Sequence, residues 1–117
     1  MAADRTKGIL QHMIGYCVQI RDAVERFGDD YGVFQQDADY KNATALCVLQ
    51  IGELTTHLPD DFKKRHDGIP WVQVKAMRNV VAHSYGTIDT ETLWETITND
   101  IPALENYCRK LLAELDI

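Results

Sequence analysis

The sequence predicts an all-α protein, an antiparallel four-helix bundle with one short extra helical turn. Apolar residues recur at steps of three and four over most of the 117 residues, which is the spacing of one helical face. No segment alternates polar and apolar residues as a half-buried strand does. Gly28, Pro59, Pro70 and Gly86 fall at the ends of the periodic segments and leave short connections, which favour antiparallel neighbours. The length is typical of one domain, and we assign residues 1–117 to it.

The first helix is predicted over residues 4–27. Gly28 follows its last apolar position and suits a helix C-cap. The next segment, residues 28–37, is rich in glycine and aspartate and is expected to form a loop. The apolar stripe of this helix comprises Ile9, Met13, Tyr16, Ile20, Val24 and Phe27.

The second helix is predicted over residues 39–58, and Pro59 ends it because the residue before a proline is disfavoured in a helix. Its apolar stripe comprises Cys47, Ile51, Leu54 and Leu58. A neighbouring stripe of mixed character comprises Asn42, Leu46, Leu49, Glu53 and His57. The polar members of this stripe could be hydrated at a helix edge or could line an internal groove, and periodicity favours neither.

Two further helices complete the bundle after a short helical turn over residues 60–66. Pro70 suits the first turn of the third helix, whose core-facing residues are Trp71, Val74, Met77 and Val81. The last helix starts at Asp89 or Thr90, either of which can cap it. Pro102 should kink this helix without ending it, because the apolar pattern continues on both sides. The inward residues of the last helix are Leu93, Ile97, Ile101, Leu104, Cys108, Leu111 and Leu115.

The charge balance is acidic, with a net charge of −6 and a pI near 5.0. A surface of this charge does not attract nucleic acid as a whole, so any such role needs a local basic patch. The candidate patch comprises Lys63, Lys64, Arg65 and His66, with Lys75 and Arg78 downstream. A short basic cluster is also typical of a solvated helix face.

The chain has no apolar stretch near the roughly 20 residues of a membrane span and no N-terminal secretory signal. We therefore expect a cytoplasmic protein that does not enter a membrane. The three cysteines, Cys17, Cys47 and Cys108, are widely separated and lie in apolar helical stretches. This spacing favours buried thiols over a zinc site or a disulfide framework. We expect neither a metal nor a cofactor.

The segment MRNVVAHSYGTID, residues 77–89, sets three polar side chains around an apolar run. At about 100° per residue, Arg78 and Tyr85 lie within roughly 60° of each other, whereas His83 points about 140° away from Arg78. Arg78 and His83 can therefore share a site only if the helix ends near His83 or if the long Arg78 side chain reaches around the helix. Gly86, three residues later, favours such an end.

An arginine and a histidine in one groove suit the cleavage of RNA by internal attack. A histidine exchanges protons near neutral pH, so His83 can accept the proton of a ribose 2′-hydroxyl. Arg78 stays charged and can stabilise the negative charge that grows on the phosphate oxygens. This chemistry requires no metal. The spacing alone is a weak motif, and a core tyrosine near a helix end is an alternative role for Tyr85.

Four segments occur in order along the chain: Ile51-Gly52-Glu53, Ile69-Pro70-Trp71, the R-x-x-x-x-H-x-Y stretch from Arg78 to Tyr85, and Leu93-Trp94-Glu95-Thr96. This ordered series resembles the HepT-like family of minimal HEPN domains, the ribonuclease toxins of HepT/MntA toxin–antitoxin systems. The resemblance covers nearly the whole chain.

The resemblance implies a type II toxin that acts as a metal-independent endoribonuclease. It implies that Arg78 and His83 are catalytic, that Asn79 and Glu53 support the site, and that Tyr85 is the tyrosine modified with adenylyl groups. It also implies a homodimer whose cleft holds both catalytic stretches. The implied partners are an RNA substrate, contacted in part by the basic patch, and an MntA-like nucleotidyltransferase antitoxin that silences the toxin through Tyr85.

Two other functions remain open. HEPN-like bundles also serve as non-catalytic modules that partner a nucleotidyltransferase and hold a nucleotide or substrate in the same groove. A structural dimer could carry Arg78 in a surface ion pair and His83 packed at a helix end. The presence of both Arg78 and His83 favours the nuclease.

Overall fold

A computed structural model describes the backbone of residues 2–82 and 89–115 and the side chains of residues 5–79 and 89–115. The helices in this part of the chain are α1 (Ala2–Phe27), α2 (Tyr31–Gln36), α3 (Ala38–Thr56), α4 (Asp60–Arg65), α5 (Trp71–Ala82), α6 (Thr90–Glu95) and α7 (Ile101–Leu115). A π-helical turn, Thr96–Asp100, joins α6 to α7 without a break. The four long segments are therefore α1, α3, α5 and the run from α6 to α7.

Helices α1 and α3 run antiparallel, as two contacts between them show. The Tyr40 hydroxyl, near the start of α3, donates a hydrogen bond to the carbonyl of Gly28, just beyond the end of α1. Seven residues further along α3, the Cys47 thiol lies 3.7 Å from the Gln19 side-chain oxygen, well back along α1. The partners on α1 thus move backwards as α3 advances. The predicted all-α bundle is confirmed.

Buried side chains from all four segments form one core. They include Leu10, Met13, Cys17, Ile20, Val48, Ile51, Val74, Leu93, Ile97, Ile101, Leu104 and Cys108. Fully burying one large apolar side chain stabilises a fold by about 1.5–3 kcal/mol, so this core holds the bundle together. On α1 the buried stripe is rotated slightly from the predicted one, because Leu10 and Cys17 are buried whereas Ile9 and Tyr16 are half-buried.

The three cysteines are free and buried, as the sequence predicted. Burial raises the pKa of Cys17 and of Cys108 to about 12. Burial also raises the pKa of Cys47. All three therefore remain thiols at neutral pH and act as small apolar groups in the core.

The loop predicted over residues 28–37 is wrong in part, because it contains α2. The Asp30 carboxylate accepts a hydrogen bond from the amide of Val33 and caps this short helix. Phe34 is fully buried and meets Tyr40 and Trp94 at ring-centroid distances of 4.8 and 5.0 Å. One buried aromatic residue and a cap are too short a pattern for helical periodicity to detect. Gly28 keeps its predicted C-cap role, with a φ of 121° that glycine adopts without strain.

The kink predicted at Pro102 stays a prediction, but the structure shows a π-helical turn directly before this residue. Proline has no amide hydrogen, so Pro102 cannot donate to the carbonyl four residues earlier. The helical turn before Pro102 contains one extra residue, so the Ile101 amide donates to the carbonyl of Thr96, five residues earlier. The apolar stripe stays inward on both sides, since Leu93, Ile97, Ile101 and Leu104 are all buried.

Glu105 joins α7 to α1 through a buried carboxylate. Arg21 Nη1 donates to both of its oxygens, at 3.0 and 2.8 Å, and Arg109 Nε donates to one of them at 2.9 Å. Two guanidinium groups thus satisfy one desolvated carboxylate.

Within the described ranges, no helix combines the length and the apolar character that crossing a membrane requires.

Candidate active site

Glu53 and Arg78 form an ion pair between α3 and α5. Arg78 Nη1 donates to Glu53 Oε1 at 2.7 Å. The Arg78 side chain is 32% exposed and the Glu53 side chain 47%, so the pair is open to solvent. The other guanidinium N–H groups have no hydrogen-bond partner among the described residues. The polar members of the mixed stripe on α3, Asn42, Glu53 and His57, are all exposed, so this stripe lies at a helix edge. Glu53 is the member that contacts α5.

The Glu53–Arg78 pair contributes little to stability. An exposed ion pair of this kind adds about 0.2–1 kcal/mol, less than one buried leucine or valine. Its consequence is orientation, since a hydrogen bond at 2.7 Å fixes one edge of the planar guanidinium. The donors that have no partner among the described residues are of the kind that bind an anionic group.

Gly52 is the residue that lets α5 approach α3 closely beside this pair. A Cβ atom at Gly52 would lie 2.8 Å from Arg78 Cβ, 3.1 Å from the Arg78 amide nitrogen and 3.2 Å from the Lys75 carbonyl oxygen. Two of these atoms belong to the backbone of α5, and the third is fixed directly to it. None can turn aside as the end of a flexible side chain can. A larger residue at position 52 would therefore separate the two helices.

The role of Gly52 was missed from sequence, although a signal was present. Glycine in a helix interior costs about 0.5–1 kcal/mol relative to alanine. A glycine between the fully buried Ile51 and the polar Glu53 therefore indicates a close approach of another backbone. Periodicity does not reveal which helix approaches. Gly52 and Glu53 act together, because the first sets the distance that the second spans.

Three of the predicted basic residues share one hollow, and the others do not line it. Lys63, Lys64 and Lys75 line one hollow of about 570 Å³ between α4 and the start of α5. Arg65 is exposed and is not part of its lining. Lys75 precedes Arg78 by one helical turn, roughly 4.5 Å along the axis, so this lysine hollow adjoins the ion pair.

The remaining predicted site residues are less defined. Asn79 is exposed, and its side chain forms no hydrogen bond with a described residue, Arg78 and Glu53 included. His83 and Tyr85, and with them the predicted helix end near His83, lie outside the described residues. Their roles stay predictions. Within the described ranges, no three His, Cys, Asp or Glu side chains are grouped so as to hold a metal ion.

Comparison with known proteins assigns the chain to a family. The family model described as Ribonuclease HepT-like matches residues 13–111, most of the chain and all of α3 and α5. The chain belongs to the HepT-like ribonucleases. The matched range contains Gly52, Glu53, Arg78, His83 and Tyr85. Membership confirms the resemblance stated from sequence and the enzyme class that follows from it, an endoribonuclease.

Curated relatives of this HepT-like ribonuclease carry matching names. A protein of Caldanaerobacter subterraneus subsp. tengcongensis, provisionally named an RNase, is 29% identical over 88% of this chain and 90% of its own length. A protein of Thermococcus cleftensis named probable ribonuclease HepT is 41% identical over 52% of this chain and 56% of its own length. A provisionally named RNase of Methanocaldococcus jannaschii is 30% identical over 74% of this chain and 75% of its own length. No solved structure gives a significant match.

Gly52→Ala should destabilise the HepT-like chain, whereas Gly15→Ala should not. Position 52 has no room for a Cβ, and overpacking costs about 1–3 kcal/mol. Position 15 is in the interior of α1 with no heavy atom within 4 Å of the added Cβ, so alanine should stabilise by about 0.5–1 kcal/mol. Urea unfolding of the two variants measures both effects. Equal effects of the two substitutions would contradict the close approach of α3 and α5.

Proposed function

We propose that this HepT-like ribonuclease is the toxin component of a type II toxin–antitoxin system and cleaves RNA through Arg78 and His83. The observation that carries the proposal is the Arg78 guanidinium, which is fixed by Glu53 on one edge and has its other donors free among the described residues. It lies five residues before His83 on the matched part of the chain. This spacing joins an oriented cation to a group that exchanges protons near neutral pH.

In the proposed reaction, the nucleophile is the ribose 2′-hydroxyl of the RNA itself. His83 accepts the hydroxyl proton as the 2′-oxygen attacks the adjacent phosphorus. The bond to the 5′-oxygen of the next nucleotide breaks, and that oxygen takes up a proton. The products are a 2′,3′-cyclic phosphate and a free 5′-hydroxyl. Because the substrate supplies its own nucleophile, no metal-activated water is required.

Arg78 would stabilise the charge that develops on the non-bridging phosphate oxygens. A guanidinium fits two such oxygens through paired N–H groups, and the pairing is stronger when the group is already oriented. Glu53 supplies that orientation from α3 through the 2.7 Å hydrogen bond. We assign Glu53 a positioning role and Asn79 a contact with substrate or a second subunit, since its side chain is exposed.

The proposed assembly is a homodimer with the two catalytic stretches in one cleft. Leu46 supports it, because it is 56% exposed and lies on the same α3 stripe as Glu53, two turns earlier. A second copy of the chain would cover this leucine and bring its own Arg78 region near the first. The proposed antitoxin is an MntA-like nucleotidyltransferase that adenylylates Tyr85.

Arg78→Ala and His83→Ala should each abolish most RNA cleavage. Loss of the proton acceptor should lower kcat by about 10²–10⁴-fold, and loss of the charge-stabilising donor by about 10²–10³-fold. Arg5→Ala and His12→Ala are matched controls on the exposed face of α1 and should cleave normally. Single-turnover cleavage of a labelled RNA and analysis of the 3′ ends provide the measurement.

Two results would contradict this mechanism. The first is cleavage that persists in His83→Ala, and the second is cleavage of an RNA that carries 2′-deoxyribose at the cut site. A wild-type chain that leaves RNA intact and copurifies with a nucleotidyltransferase would instead favour the non-catalytic binding module.

Tyr85→Phe should remain toxic when the nucleotidyltransferase is present. If the helical spacing continued to Tyr85, this residue would lie on the Arg78 side, so an adenylyl phosphate there would pair with Arg78 and its nucleotide would block the groove. Phenylalanine has no hydroxyl to modify. Growth of cells that coexpress the two proteins, with mass spectrometry of the toxin, tests this expectation. Normal silencing of Tyr85→Phe would show that the antitoxin acts elsewhere.

A further inference from the structure

The lysine hollow differs from the rest of the chain in its charge. It holds three lysines and two aspartates, Asp60 and Asp67, so its formal charge is +1 in a chain of −6. Lys63 is already engaged, since its ammonium lies 3.7 Å from Asp60 Oδ1 and 3.5 Å from the Thr55 carbonyl oxygen. Lys64 and Lys75 form no ion pair with a described residue. These two ammonium groups are therefore available to an external anion.

The same hollow has an apolar wall that a simple anion site does not need. Val72 is 82% exposed, more than any other large apolar side chain among the described residues. Beside it, Trp71 is buried and donates from Nε1 to the His66 carbonyl at 2.6 Å, which fixes the wall. A ligand that fits the two ammonium groups and the apolar wall carries a negative charge next to a flat apolar surface.

A nucleotide unit of a single RNA strand has this combination. Its phosphate can pair with an ammonium group while its base covers an exposed apolar side chain. Lys75, the last residue of α5 in the lining, is one turn before Arg78, and both residues flank Gly52. One strand can therefore contact the hollow and the Arg78 guanidinium together.

We propose that the lysine hollow is an RNA subsite that binds a nucleotide beyond the two joined by the phosphate that is cleaved at Arg78. Lys64 and Lys75 contact backbone phosphates, and Val72 contacts a base. The subsite rests on the proposed function, since it extends the same substrate path. It also explains how an acidic protein binds RNA, namely through a short local track of cations on α4 and α5.

Binding of a non-cleavable RNA isolates the subsite from catalysis. A 2′-O-methyl oligonucleotide should bind to the wild type with an affinity that falls as salt rises. Each lost lysine–phosphate contact on a single strand reduces the slope of log K against log salt by about 0.7. The Lys64→Ala/Lys75→Ala variant should therefore lose about 1.4 from the slope and bind about twentyfold more weakly at 0.1 M salt. Lys110→Ala, an exposed lysine on α7, is the matched control and should behave as the wild type does.

Val72→Ser and a short substrate sharpen the test. Val72→Ser should weaken binding without changing the salt slope, because it removes an apolar contact and no charge. Cleavage of a dinucleotide, which is too short to reach the hollow, should be unchanged in the double lysine variant, whereas KM for a longer RNA should rise.

An unchanged salt slope in the double lysine variant would overturn the proposal. An unchanged slope together with a shifted monomer–dimer equilibrium would assign the hollow to a subunit contact and would also overturn it. A protein that binds the oligonucleotide as predicted but cleaves no RNA would refute the proposed function alone.

Discussion

The close approach of two helix backbones at Gly52 is the constraint on which the candidate active site depends. A Cβ atom at position 52 would lie only 2.8 Å from Arg78 Cβ, so the separation of α3 and α5 depends on the absence of a side chain there. Because the helices are this close, Glu53 reaches Arg78 at 2.7 Å. A separation larger by one methyl group would lengthen that bond beyond hydrogen-bonding distance or force a different rotamer.

Stability and function are distributed over different parts of the molecule. Buried apolar side chains from α1, α3, α5 and the α6–α7 run hold the bundle, and a doubly paired carboxylate at Glu105 ties α7 to α1. The Glu53–Arg78 pair and the lysine hollow lie on the exposed side of α3, α4 and α5, where they add little to folding. Substitutions at Glu53, Lys64 or Lys75 should therefore change the folded fraction little, so they can test the proposed roles of these residues in RNA cleavage.

Much of the fold could be predicted from the sequence, because periodicity, caps and prolines act locally. Gly28, Pro59 and Asp89 mark helix ends that the structure confirms within two residues. α2 could not be predicted, since a six-residue helix with one buried aromatic residue has no period. The site was less accessible to prediction. The pairing of Glu53 with Arg78 joins residues on different helices, so it depends on packing that no local pattern reveals. The sequence grouped Lys63 and Lys64 with Lys75, but only the structure shows that these three line one hollow and that Arg65 does not.

A double-mutant cycle on RNA cleavage tests the central claim, that Gly52 acts by holding Arg78 against Glu53. Cleavage by the wild type, Gly52→Ala, Glu53→Ala and the double variant is compared under conditions where each is fully folded. If the claim is right, the two substitutions remove the same interaction, so kcat/KM of the double variant is close to that of the less active single variant. The coupling energy is then about 0.5–3 kcal/mol. If the two losses multiply in full, Gly52 acts independently of the ion pair and the claim is contradicted.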